Sequence, residues 1–75
     1  MEIKFSRHAK RRAKLYGIAE STIVNILTSV NLRQGDNEII KDVPGFNYSL
    51  KIIASFDKGG TTVITNYPLK KGRRT

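Results

Sequence analysis

The apolar residues of this 75-residue chain change their period once, near Gly35, and that change limits the architectures open to it. Before it the spacing is helical. Phe5, Ala9, Ala13 and Tyr16 recur at steps of four, four and three, which predicts a helix over residues 7–16 with one apolar stripe. Ser6 stands where an N-cap is needed and Gly17 where a left-handed closing residue is needed. A second helix follows, because Ile23, Ile26, Leu27 and Val30 fall at i, i+3, i+4 and i+7 while Thr22, Asn25 and Ser29 lie opposite. The link Gly17-Ile18-Ala19 is short enough to make the pair a hairpin, with Ile18 as its anchor.

Beyond Gly35 the pattern alternates and the punctuation is that of a meander. Strands are predicted over residues 38–43, 47–56 and 61–67, separated by a Pro44-Gly45 turn and by Asp57-Lys58-Gly59-Gly60. In the longest, Leu50, Ile52, Ala54 and Phe56 share the face that the helices should cover. In the last, Val63, Thr65 and Tyr67 alternate with Thr62, Ile64 and Asn66, and Pro68 is expected to stop it. Residues 2–5 can open the chain as a short strand, with Ile3 and Phe5 on one face. The expected fold is α+β: two N-terminal helices packed on an antiparallel sheet of three or four strands. It forms one domain over residues 1–69, followed by a basic, mobile tail over 70–75.

Composition narrows the chemistry. The absence of cysteine excludes a disulfide framework, a thiolate zinc site and a cysteine nucleophile together, which suits a cytoplasmic protein. No apolar run approaches the roughly 18 residues of a membrane span, and the N-terminus has no signal-peptide core, so a soluble, unprocessed chain is expected. Fourteen lysines and arginines against six acids give a formal charge of +8, with the excess at residues 4–14 and 70–74. So large a charge on so small a body attracts polyanions, which makes nucleic acid or an acidic protein the first partner to consider.

The six carboxylates are scattered, only Asp36, Glu38 and Asp42 lying near one another, and these read as turn and edge-strand residues. With one histidine and no phosphate-binding glycine loop, no metal and no nucleotide cofactor is expected. RNA cleavage without a metal needs less, because the ribose 2′-hydroxyl is an internal nucleophile and the protein supplies proton transfer and positive charge. His8 can transfer the proton, and Arg12, one turn on, can hold the phosphate. The competing assignment has His8 packed beneath the sheet and bonded to backbone. Lys51 is a second candidate for phosphate charge, and Tyr67 for stacking or proton donation, against the plainer role of a core-edge aromatic. Arg7, Lys10, Arg11 and Lys14 on the first helix, with Lys70, Lys71, Arg73 and Arg74 in the tail, are either a solvated surface or contacts to an RNA backbone.

The run Phe5-Ser6-x-His8-Ala9-x-x-Arg12, then Tyr16-Gly17-Ile18 opening a second helix, then Val63-Ile64-Thr65-Asn66-Tyr67-Pro68, resembles a family of small prokaryotic domains of uncharacterised function. That family looks distantly related to the RelE/ParE toxin superfamily, and the resemblance covers nearly the whole chain. It implies a helical hairpin on an antiparallel sheet, and it maps the motif positions onto His8, Arg12, Thr65 and Tyr67. RelE-like members are metal-independent endoribonucleases that cut messenger RNA, often on the ribosome, and are neutralised by an antitoxin; ParE-like members inhibit DNA gyrase. The resemblance thus implies a toxin acting on messenger RNA and held by an acidic antitoxin. The alternatives are a non-catalytic nucleic-acid-binding module and a gyrase-directed toxin; a weak homodimer is also expected. This sequence departs from the pattern at Ala19, where a capping serine is expected, and carries no arginine and lysine cluster on its strands beyond Lys51.

Overall fold

Ser6 begins the architecture, because its hydroxyl serves a helix and a strand at once. In the computed structural model, which describes residues 2–43 and 48–70 and only the backbone of Lys70, Ser6 Oγ accepts from Ala9 N at 2.9 Å. The same hydroxyl donates to the Ile64 carbonyl at 2.9 Å, and Ser6 N donates to the Val63 carbonyl at 3.0 Å. The expected N-cap is therefore also a clamp.

Helix α1 (Arg7–Leu15) ends as Gly17 requires. Gly17 takes φ +67°, its N–H donates to the Lys14 carbonyl, and Ile18 N donates to the Ala13 carbonyl at 2.8 Å. These two bonds form a Schellman motif, and they bury Ile18 between the helices. Helix α2 (Glu20–Thr28) starts at Ala19, which makes no side-chain cap; Glu20 in its first turn favours the positive end of the helix dipole instead. It stops short of Val30, since the Ser29 hydroxyl and N–H both donate to the Ile26 carbonyl.

Four strands follow the order β1-β4-β3-β2, where β1 is Ile3–Phe5, β2 Gly35–Asp42, β3 Tyr48–Asp57 and β4 Gly60–Lys70. The sheet is mixed, not antiparallel as expected: β1 runs parallel to β4, pairing Ile3 with Thr61 and Phe5 with Val63. Nothing in three residues states a strand's direction. It is set by α1 departing at once from Phe5 and by β4 returning only after the helical hairpin and β2–β3, a crossover long enough for parallel pairing. Strand β2 starts at Gly35, three residues before the expected position, and ends at Asp42. The Pro44-Gly45 turn and Phe46 lie outside the described residues.

Two expectations about β4 are corrected. Ile53 pairs with Thr65 but Ala54 pairs with Val63, so Ile64 is an extra residue, a β-bulge that turns the following side chains over. Val63 therefore faces the helices, whereas Thr65 and Tyr67 face away, and Asn66 takes the buried position between them. Pro68 does not stop the strand either; it pairs with Leu50, and β4 continues to Lys70. Beyond Val63 no strand among the described residues lies on β4's other side, an edge position where a residue without an N–H is tolerated.

The core lies between the helices and one sheet face: Ala9, Ala13, Ile23 and Leu27 meet Leu50, Ile52, Ala54 and Val63. Two alanines on α1 let its backbone approach β4 closely, and Asn66 uses that approach, its amide donating to the Ala9 carbonyl at 3.2 Å. Asn66 thus holds α1 directly past the bulge.

At the start of β4 the backbone of β1 comes equally close. Thr61 N donates to the Glu2 carbonyl at 2.9 Å, Gly60 has φ +121°, and a Cβ on Gly60 would stand 2.7 Å from that same carbonyl oxygen. Gly60→Ala should destabilise the fold by about 2 kcal/mol or more, from the φ and the clash together, read as a lowered urea midpoint with an unchanged slope. A Gly17→Ala control, where a Cβ meets nothing within 4 Å, should show only the smaller cost of its positive φ.

Candidate nucleic-acid interface

Burial of Ala9 and Ala13 against the sheet turns the rest of α1 outward. Arg7, His8, Lys10, Arg11 and Lys14 are all exposed, Arg12 is half-buried, and the helix carries no acid. None of these cations is paired with a carboxylate among the described residues. Arg12 and Lys14 sit in the last turn, where the helix dipole favours positive charge. Arg7 at the first position opposes that dipole, so helix stability does not account for it. The face is a concentrated, unneutralised positive surface.

His8 is exposed on this face, not packed beneath the sheet. Arg12 follows four residues later, about 6 Å along the axis, and its Nη1 donates to Tyr16 Oη at 3.1 Å. His8, Arg12 and Tyr16 thus form a line at steps of four, with the guanidinium held in place by the phenol. Tyr16 was legible in the sequence only as the end of the apolar stripe. The step of four from Arg12 was the signal for its second role, because a tyrosine at the edge of a buried stripe keeps its hydroxyl in reach of solvent and neighbours. An imidazole that can exchange a proton, on the same helix line as a cation that can bind a phosphate, supplies two of the functions that transesterification at a ribose uses.

Lys51 and Tyr67 stand elsewhere. The bulge at Ile64 places Tyr67 beside Lys51 on the sheet face turned away from the helices, with Nζ 5.7 Å from the ring centroid. Lys51 also forms an ion pair with Glu38, across a diagonal of the β2–β3 ladder. The hydrogen bond that Lys51 donates to Glu38, and next the one it donates to Tyr67, raise the Lys51 pKa above its ordinary value near 10.5. The four predicted catalytic residues are therefore not brought together: His8 and Arg12 lie on one side of the sheet, Lys51 and Tyr67 on the other. Thr65 shares the second side and pairs with Ile53. Glu38 lies on edge strand β2, as the sequence suggests, and its partnership with Lys51 follows only from the register. Of the tail cations, Lys71, Arg73, Arg74 and the Lys70 side chain lie outside the described residues.

No helix among the described residues is long and apolar enough to cross a membrane. No group of three His, Asp or Glu side chains among the described residues is placed to hold a metal ion.

The raised Lys51 pKa carries a stability consequence with a definite sign. A lysine whose folded pKa exceeds its unfolded value stabilises the fold fully below the unfolded value, and the contribution is lost as pH rises through the folded one. Comparison of wild type with Lys51→Met by chemical denaturation should give a wild-type advantage at pH 8 that shrinks above about pH 10.5. An advantage unchanged at strongly alkaline pH would mean that aliphatic packing, not the ion pair, is responsible.

No family model matches the chain, and no curated protein or solved structure is similar enough to it to count as a relative.

Proposed function

We propose that this protein is an RNA-directed toxin component, a metal-independent endoribonuclease that engages messenger RNA through the exposed face of α1. One observation carries the reading: five exposed basic or imidazole side chains, Arg7, His8, Lys10, Arg11 and Lys14, share a helix surface with no acid among them. In the proposed reaction His8 takes the 2′-hydroxyl proton as the 2′-oxygen attacks phosphorus and the bond from phosphorus to the 5′-oxygen breaks, leaving a 2′,3′-cyclic phosphate. The imidazolium or a water molecule returns a proton to the departing 5′-oxygen, and the Arg12 guanidinium, oriented by Tyr16, binds the phosphate whose negative charge grows in that step. Arg7, Lys10, Arg11 and Lys14 hold the flanking backbone and give affinity without sequence preference. The motif resemblance supplies the toxin part of the proposal: a RelE-like fold working in the cytoplasm and held in check by an acidic antitoxin protein that competes for the same charge.

A second reading is favoured by the separation of Lys51 and Tyr67 from His8 and Arg12. With fewer groups converging on one phosphate, the α1 face serves equally as a non-catalytic nucleic-acid-binding surface.

Binding and cleavage separate the two. Engagement of four phosphates on single-stranded RNA should give a slope of about −3 in a plot of log affinity against log salt, and reversal of Arg7, Lys10 and Arg11 to glutamate should flatten it. His8→Ala should lower cleavage about a hundredfold or more while leaving the melting temperature and the salt slope intact, since His8 is exposed. In cells, induced wild-type chain should arrest growth with new 5′ ends in messenger RNA, and His8→Ala should do neither. Binding without cleavage selects the binding module. Arrest without new ends, surviving in His8→Ala, selects a protein target such as gyrase.

A further inference from the structure

The sheet face turned away from the helices differs in character from the rest of the molecule. Its outward positions hold two lysines, Lys4 and Lys51, against four carboxylates, Asp36, Glu38, Asp42 and Asp57, on a chain whose formal charge is +8. Lys51 is already engaged by Glu38. Around that pair lie apolar side chains that reach solvent, Ile40 at 53% and Ile64 at 38% exposure, with Ile53 and Tyr67 half-buried between them. A polyanion finds no excess of positive charge here. A surface of isoleucines and one tyrosine, with its central lysine neutralised, has the composition of a protein contact.

Its charges are also arranged to suit a copy of itself. One row of outward residues crosses all four strands: Lys4 pairs with Thr62, Thr62 with Ser55, and Ser55 with Asp36. The row has a lysine at one end, a carboxylate at the other and two hydroxyls between. Both end residues are exposed, and neither has an ion-pair partner among the described residues. Stacking a second sheet on this face about a two-fold axis parallel to the strands reverses the strand order while preserving the level of each row. Lys4 of each copy then lies over the partner's Asp36, and Thr62 lies over the partner's Ser55. The strands run within about 30° of one another in such a stack, an ordinary angle for packed sheets.

We infer that this face is a self-complementary interface through which two copies of the chain associate back to back, with both α1 helices outward and free. With strands of eight to eleven residues at about 3.3 Å per residue and spacings of about 4.8 Å, the flat footprint is on the order of 500 Å² per copy. That is at the lower end of specific interfaces, so the dimer is a weak one that dissociates at low concentration. The inference does not depend on RNA cleavage, since no residue of the α1 face takes part.

Sedimentation equilibrium of the full chain from low micromolar to millimolar concentration tests it. The mass should rise from 8.5 kDa toward twice that value. Lys4→Glu and Asp36→Lys should each weaken association about tenfold by turning two attractive contacts per dimer into repulsive ones, and the double variant should restore it. Restoration also excludes misfolding as the cause of the single-variant loss. A chain that stays monomeric at millimolar concentration, single variants that dimerise like wild type, or a double variant that remains weak would each overturn the inference. So would a monomer whose RNA affinity falls in Lys4→Glu, which would assign the face to nucleic acid.

Discussion

One extra residue in the last strand, Ile64, decides which side chains of this protein meet the helices and which meet the surroundings. Upstream of it the alternation of β4 buries Thr61 and Val63; downstream it buries Asn66 and turns Thr65 and Tyr67 outward. Without the bulge, Tyr67 would lie under α1 and Asn66 would face away. The helix position depends on the same residue twice, because the Ile64 carbonyl accepts the Ser6 hydroxyl and the displaced Asn66 amide holds the Ala9 carbonyl. An unpaired residue bends its strand and raises its twist. Here it also supplies the acceptor that fixes where α1 begins.

The bulge has an electrostatic consequence. By bringing Tyr67 beside Lys51 it completes a small cluster with Glu38, in which the only lysine at the centre of the outer face is held by a carboxylate and a ring. The exposed cations of α1 have no such partners among the described residues. The molecule is therefore two-sided: a cationic helix surface suited to phosphates and a sheet face where carboxylates outnumber lysines, suited to protein. A net charge spread evenly would have steered polyanions to both. The fold places α1 over β4 and β1, at the opposite edge of the sheet from the acids of β2, so its field is not cancelled by them.

Much of the local structure is legible in the sequence. Ser6 and Gly17 bracket α1 within a residue of where capping chemistry placed them, and Ile18 is the buried anchor that the hairpin required. The covered face of β3 carries Leu50, Ile52 and Ala54, as its alternation demanded. The errors share a cause. The direction of β1, the face of Tyr67 and the passage of the strand through Pro68 all depend on what lies beside a strand, and a period of two contains no information about neighbours. Tyr16 was undervalued for a related reason: a hydrophobic stripe accounts for a tyrosine's ring and is silent about its hydroxyl.

The candidate site divides along the same line. That α1 would present Arg7, Lys10, Arg11 and Lys14 outward was determined by the sequence itself, because two alanines four residues apart choose the buried face and 3.6 residues per turn places everything else; the exposure of His8, at the edge of that face, was decided by the fold. The separation of Lys51 and Tyr67 from His8 and Arg12 was decided only in three dimensions. A single bulged residue reverses the facing of every later side chain in its strand, and it is seen only in the register against β3 and in the bond from Ser6, 58 residues away in the chain.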